Sequence, residues 1–109
     1  MDELSQLPYL YLTTTGWKSG LPHEIEIWFT LLDGRYYLIA ERGEDTHWVQ
    51  NLRQRPAITF RVGEQTFQGT GRVVEAALEP ELHRRISQLS EAKYGWGDGL
   101  VVELKPEEN

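Results

Sequence analysis

Three short stretches of this chain carry residue types whose spacing suits chemistry. In Thr13-Thr14-Thr15-Gly16-Trp17-Lys18-Ser19-Gly20, two glycines let a turn aim several backbone N–H groups at one spot, with the Ser19 hydroxyl and the Lys18 ammonium beside them. Such a concavity suits a phosphate or carboxylate. The plain alternative is a polar hairpin loop with a solvated lysine. Ala40-Glu41-Arg42-Gly43 ends a strand with a guanidinium that can grip the same anion by a two-pronged contact, unless it is an exposed charge paired with Glu41 or Glu44. In His47-Trp48-Val49-Gln50-Asn51-Leu52, Trp48 and Asn51 are three apart and share a helical face. A flat indole and an amide could flank a planar ring there, although a core Trp48 and an Asn51 tied to loop backbone answer the same pattern.

Other chemistries find little support. The chain has no cysteine, which excludes disulfides, thiol nucleophiles and Cys-ligated metals. His23, His47 and His83 show no metal-ligand spacing, so no metal site is expected. Ser19 sits in a turn unlike a nucleophile elbow, and Glu24 and Glu26 read as paired surface carboxylates rather than a glycosidase acid pair. Seventeen acidic against eleven basic residues give a net charge of -6, and with no basic run a nucleic acid is repelled. No apolar run approaches the ~20 residues that span a bilayer. Met1 to Pro8, with Asp2 and Glu3, lacks the basic start and apolar stretch of a signal peptide. A cytoplasmic protein is the expectation.

The elements that must position these residues are mostly strands. Pro8–Thr15 is rich in Tyr, Leu and Thr, which suit a pleated, half-buried surface. From Glu24 the pattern alternates, with Ile25, Ile27, Phe29 and Leu31 on one face and Glu24, Glu26, Trp28 and Thr30 on the other. Asp33-Gly34 is a hairpin signal, and Arg35–Ala40 returns. Asp45 or Thr46 can cap a helix over His47–Arg53 that Pro56 stops. Ile58–Val62 and Gln65–Glu75 form a further hairpin around Gly63-Glu64. Gly69 and Gly71 share a face there, which predicts a sharp bend or a neighbour's close approach. A second helix runs from about Glu79 to Tyr94, with Leu82, Ile86 and Leu89 as its apolar stripe, and Leu100–Leu104 is the last strand. Six strands with short connections and two short helices predict a mainly β, α+β domain over residues 1–109, an antiparallel barrel closed or nearly so.

The ordered pieces Thr14-Thr15-Gly16-x-Lys18-Ser19-Gly20-x-Pro22, Ala40-x-Arg42-Gly43, His47-Trp48-x-x-Asn51-Leu52 with Pro56 four residues on, and Val101-Val102-Glu103-Leu104-x-Pro106 resemble the deazaflavin-dependent nitroreductase family of the pyridoxamine-phosphate-oxidase-like split barrels. The resemblance covers nearly the whole chain. It implies a six-stranded split barrel, usually a homodimer, binding coenzyme F420, or alternatively FMN, in a groove. It places the cofactor phosphate on the turn matching Thr15, Lys18, Ser19 and Gly20, with Arg42 as the basic position after the strand. Trp48 and Asn51 line the groove, and the backbone of the strand matching Pro22, His23 and Ile25 lies along the ring. The sequence departs from the family in Trp17 and His23, where members favour Arg, and in the carboxylates Glu24 and Glu26.

Two functions follow from the resemblance. One is a reductase moving a hydride from the reduced cofactor to a small quinone, nitro compound or enone, with the cofactor carrying the chemistry and Tyr94 a candidate for touching substrate. The other is a non-catalytic module that holds a flavin, a deazaflavin or another planar anion. Arg53 and Arg55, just beyond Asn51, are the nearby basic pair expected to meet the acidic tail of F420.

Overall fold

The computed structural model describes residues 3–43 and 46–107. A short 3-10 helix, Glu3–Gln6, leads into β1 (Leu10–Thr15), β2 (Pro22–Ile27), β3 (Thr30–Leu32), β4 (Arg35–Ala40), α1 (His47–Gln54), β5 (Ala57–Val62), β6 (Gln65–Val74), α2 (Pro80–Tyr94) and β7 (Leu100–Pro106). The strands form one sheet in the order β2-β1-β5-β6-β7-β4-β3, antiparallel throughout.

That order forces the shape. Strands β2 and β3 are consecutive in sequence yet lie at opposite edges of the sheet. Ile27 and Thr30 are three residues apart, so the chain between them spans at most ~10 Å. The sheet must therefore curl until its edges nearly meet, giving the half-barrel the sequence predicts.

Seven strands replace the expected six, because the alternating run from Glu24 to Leu32 is two strands. It breaks at Trp28-Phe29, where the chain leaves the β1 edge and joins β4. The Phe29 peptide groups at the break find α2 instead of a neighbouring strand. Its N–H donates to the Tyr94 hydroxyl at 3.1 Å, and its carbonyl accepts from Lys93 Nζ at 2.9 Å. Thr30, expected on the solvated face, is buried at 5% exposure.

The barrel interior packs Leu10, Leu12, Phe29, Tyr36, Leu38, Phe60, Val62 and Leu104, with Ile25, Ile27 and Phe67 against them. A second cluster joins the Leu82, Ile86 and Leu89 stripe of α2 to Tyr37, Val74 and Val101. Close approach explains the paired glycines of β6. A Cβ on Gly71 would fall on the Leu52 side chain of α1, and one on Gly69 on the Lys105 carbonyl. Both helices are thus seated by the sheet, and α1 is held tightly enough to fix the residues it carries.

Thr46 stands at the N-cap of α1 with no side-chain capping bond, while Asp45 and Glu44 lie outside the described residues. Among the described residues, no helix is long and apolar enough to cross a membrane.

Candidate functional site

The site begins at the turn between β1 and β2. Gly16 N–H donates to the Leu21 carbonyl at 2.8 Å, Gly20 N–H to the Gly16 carbonyl at 2.8 Å, and Leu21 N–H to Ser19 Oγ at 3.2 Å. Gly20 has φ +73°, the left-handed region that glycine enters at least cost. A Cβ on Gly16 would fall on Ser19 Oγ and crowd the His23 ring, so a bare backbone forms the floor. Among the described residues, no protein acceptor takes the Lys18 or Ser19 N–H. Two free N–H groups, a hydroxyl with its proton to give and an ammonium make a cradle for an anion.

Helix α1 locks that cradle. Asn51, 7% exposed, accepts the Trp17 N–H at Oδ1 and donates from Nδ2 to Thr14 Oγ1, both at 3.2 Å. The amide is thus committed to loop backbone and strand, the plainer of its two expected roles, while it also borders the groove. Trp48 is likewise mostly core at 9% exposure, with its remaining surface on the groove.

An open groove of about 900 Å³ brings together Lys18, Ser19, Pro22, His23, Ile25, Arg42, Trp48 and Asn51, with His47, Glu24 and Gln50 on its walls. It runs beside β2, an edge strand of the sheet. Arg42 is exposed and forms no ion pair among the described residues. Lys18 Nζ rests 4.8 Å from the Trp17 ring centre.

Several expected residues are elsewhere. Thr15 pairs with Pro22 and faces a neighbouring cleft bordered by Thr13, Thr59 and Thr70. Gly20 shapes the turn without lining the groove. Tyr94 lies off the groove. Its hydroxyl accepts from Phe29 N–H and donates to the Pro8 carbonyl at 2.6 Å, fastening α2 to the β2–β3 crossover. Arg53 reaches Glu75 at 3.4 Å, and neither Arg53 nor Arg55 borders the groove.

Sequence reasoning missed an extension of this groove. Arg42, Thr46 and Trp48 also border a second hollow of about 650 Å³, walled by Ile27, Trp28, Ile39, Ala40 and Trp96. The two share these three residues as a common wall and together make a trough, cationic at the turn and largely aromatic at the far end, where Glu26 and Glu41 also stand. Trp28, 47% exposed, stacks on Tyr94 at 4.4 Å and meets Trp96 edge-on at 6.3 Å. A tryptophan in line with Glu24 and Glu26 on the polar face of the alternating run was the available signal.

These residues fit a planar cofactor that carries a phosphate: a bare-backbone cradle with two fixed cations, then a flat indole wall beside a strand edge. Among the described residues, no group of three His, Cys, Asp or Glu could hold a metal ion.

The fold recurs in known structures. The chain is similar to an F420-H2 dependent reductase (FDR-A), at 22% identity and a TM-score of 0.74 over 90% of this chain and 94% of that one. It is similar to HutZ, a haem storage protein from Vibrio cholerae, at 19% identity and a TM-score of 0.79 over 98% and 87%. It is also similar to an FAD-binding protein from Mesorhizobium loti, at 17% identity and a TM-score of 0.70 over 96% and 85%. No curated protein matches the sequence significantly. The sequence profile that does match spans residues 1–98 and so takes in the turn, the strand end and the helix that meet at the groove: the chain belongs to the F420H(2)-dependent quinone reductase family, oxidoreductases that use reduced F420.

Proposed function

We propose that this chain is a reductase that holds F420 in the groove and passes a hydride to a small quinone, nitro compound or enone lodged at the aromatic end of the trough. The continuity of a cationic cradle with an apolar aromatic hollow, through the shared wall of Arg42, Thr46 and Trp48, carries this reading.

Each residue has a task that follows from its place. The Lys18 and Ser19 N–H groups, the Ser19 hydroxyl, the Lys18 ammonium and the Arg42 guanidinium hold the phosphate by charge-assisted hydrogen bonds. Trp48 and Ile25 offer apolar surface to the ring, and the edge of β2 offers its backbone. When bound, the reduced deazaflavin supplies the hydride that, with one proton, turns a quinone into its quinol. Trp28, Trp96 and Ile27 orient a flat acceptor and exclude water from one side of it. His23 and His47 stand on the open wall, so the proton is available from solvent without a buried acid.

The working unit is a homodimer that buries about 1,600 Å² or more. The exposed Trp17 and Leu21 support this reading. Sedimentation that found only a monomer-sized species at micromolar concentration would refute it.

The deciding experiment is titration with F420 and FMN, followed by addition of menadione to protein loaded with reduced F420. Tighter binding of F420 and prompt oxidation are expected. Tight binding without turnover of quinones, nitroaromatics or enones would leave a binding module, and preference for FMN would move the assignment to a flavin.

A further inference from the structure

Away from the groove, with which it shares no residue, an open pocket of about 580 Å³ lies between the N-terminal segment, β3 and the end of α2, bordered by Pro8, Thr30, Leu31, Leu89, Lys93 and Tyr94. Nothing in the proposed reaction uses it.

One charged group on its border has no opposite charge beside it among the described residues. The half-buried Lys93 ammonium donates to the Phe29 carbonyl at 2.9 Å and lies over the Phe29 ring at 3.9 Å and the Tyr94 ring at 5.0 Å. No carboxylate joins it among the described residues. Withdrawing an ammonium from water is costly unless an opposite charge meets it, and ring faces return only ~0.5–2 kcal/mol. Burial alone accordingly pulls the Lys93 pKa down to about 8.

We propose that this pocket binds a small carboxylate, paired with Lys93, with its hydrocarbon body against Leu31, Leu89 and Pro8. The ammonium selects an anion, and the apolar walls select a compact acid. A lone ammonium without a guanidinium or a nest of N–H groups suits a single carboxylate better than a phosphate. The site is independent of the cofactor groove.

Calorimetric titration of the full chain with benzoate tests this. Saturable binding is expected, weakened ~10- to 150-fold in Lys93→Met, as for loss of a charged hydrogen bond, and largely retained in Lys93→Arg. Benzamide, uncharged and of the same shape, should bind at least ~10-fold more weakly. Affinity should fall as pH rises through about 8; Tyr94 is the other titratable group bordering the pocket among the described residues, and burial raises its pKa. Lack of saturation by about 20 mM, or wild-type affinity in Lys93→Met, would overturn the proposal. So would a Lys93 titration that moves when Asp2 and Glu3 are both made amides, which would give the amine to the chain's own N-terminus.

Discussion

Asn51 Oδ1 accepts the Trp17 N–H at 3.2 Å, while Asn51 Nδ2 donates to Thr14 Oγ1 at the same distance. One buried amide therefore ties α1 to the turn that presents Lys18 and Ser19. Asn51→Ala leaves a hydroxyl and a backbone N–H without their partner, at a cost of about 1–3 kcal/mol. The melting temperature should fall, and F420 affinity should fall with it because the cradle is no longer held. Thr14→Val, which leaves the Trp17 bond intact, should lose stability but keep most of the affinity. Equal loss of affinity in both variants would show that the turn does not depend on Asn51.

Lys18 and Arg42 are exposed and hold no structural ion pair among the described residues, so their removal should be felt only by a ligand. Lys18→Ala and Arg42→Ala should each weaken F420 binding by ~10- to 150-fold and leave the melting temperature of the free protein nearly unchanged. Arg53 and Arg55 give the contrast. Arg53 faces Glu75 in an exposed pair of the kind worth at most ~1 kcal/mol. Replacing both arginines should leave F420 affinity and its salt dependence as they are. Titrations of the three variants at two ionic strengths decide the matter.

The turn, the strand end and the helix were legible in the sequence because each is a local pattern whose residues act close to where they stand. The seat of α1 was half legible. Gly69 and Gly71 announced a close approach but could not name Leu52 or the Lys105 carbonyl as the neighbour. Long-range pairings left no local trace. Alternation carries on unbroken through Trp28 and Phe29, and only the sheet order shows that β2 and β3 lie at opposite edges. Tyr94 reads as a free phenol near a helix end, yet its hydroxyl is spent on Pro8 and Phe29, 86 and 65 residues away. The Glu75 partner of Arg53 was hidden for the same reason, since a helical position fixes a direction but not the partner waiting there.

Glu103, 3% exposed, lies among Arg35, Arg72 and Tyr37, with the Tyr37 hydroxyl donating at 2.8 Å and Arg72 Nε at 3.0 Å. Burial pushes its pKa up, but the hydrogen bonds from Arg72 and Tyr37 outweigh that and hold it below the ordinary value. A depressed carboxyl stabilises the fold above its unfolded pKa, near ~4.3, and that contribution is lost as pH falls through the folded value. Stability should therefore drop below about pH 4. Glu103→Gln should cost about 2–3 kcal/mol at neutral pH, less than the ~3–5 of a fully buried pair, because both arginines remain partly in water. Its stability should also vary less with acid. Urea melts from pH 3 to 7 would show this, and parallel curves for variant and wild type would contradict it.

The proposed reading gives the two ends of the trough different work, and Trp28 can tell them apart. It borders the aromatic hollow without bordering the cradle, so Trp28→Ala should leave F420 affinity within about 3-fold of wild type. One face of its ring stacks on Tyr94, and in the proposed reading the other face meets the acceptor. Losing an aromatic contact of ~1–2 kcal/mol should raise KM for menadione by roughly 5- to 30-fold, with kcat changed less if the indole binds substrate and transition state alike. Trp28→Phe keeps a ring for both contacts and should recover most of the loss. The competing use of this face is as a subunit contact, since an aromatic patch this exposed is also what a second copy would cover. A variant that sediments as a monomer with unchanged KM would assign Trp28 to the interface and return the acceptor to another part of the trough. A raised KM in a protein of unchanged sedimentation would place the acceptor against the indole.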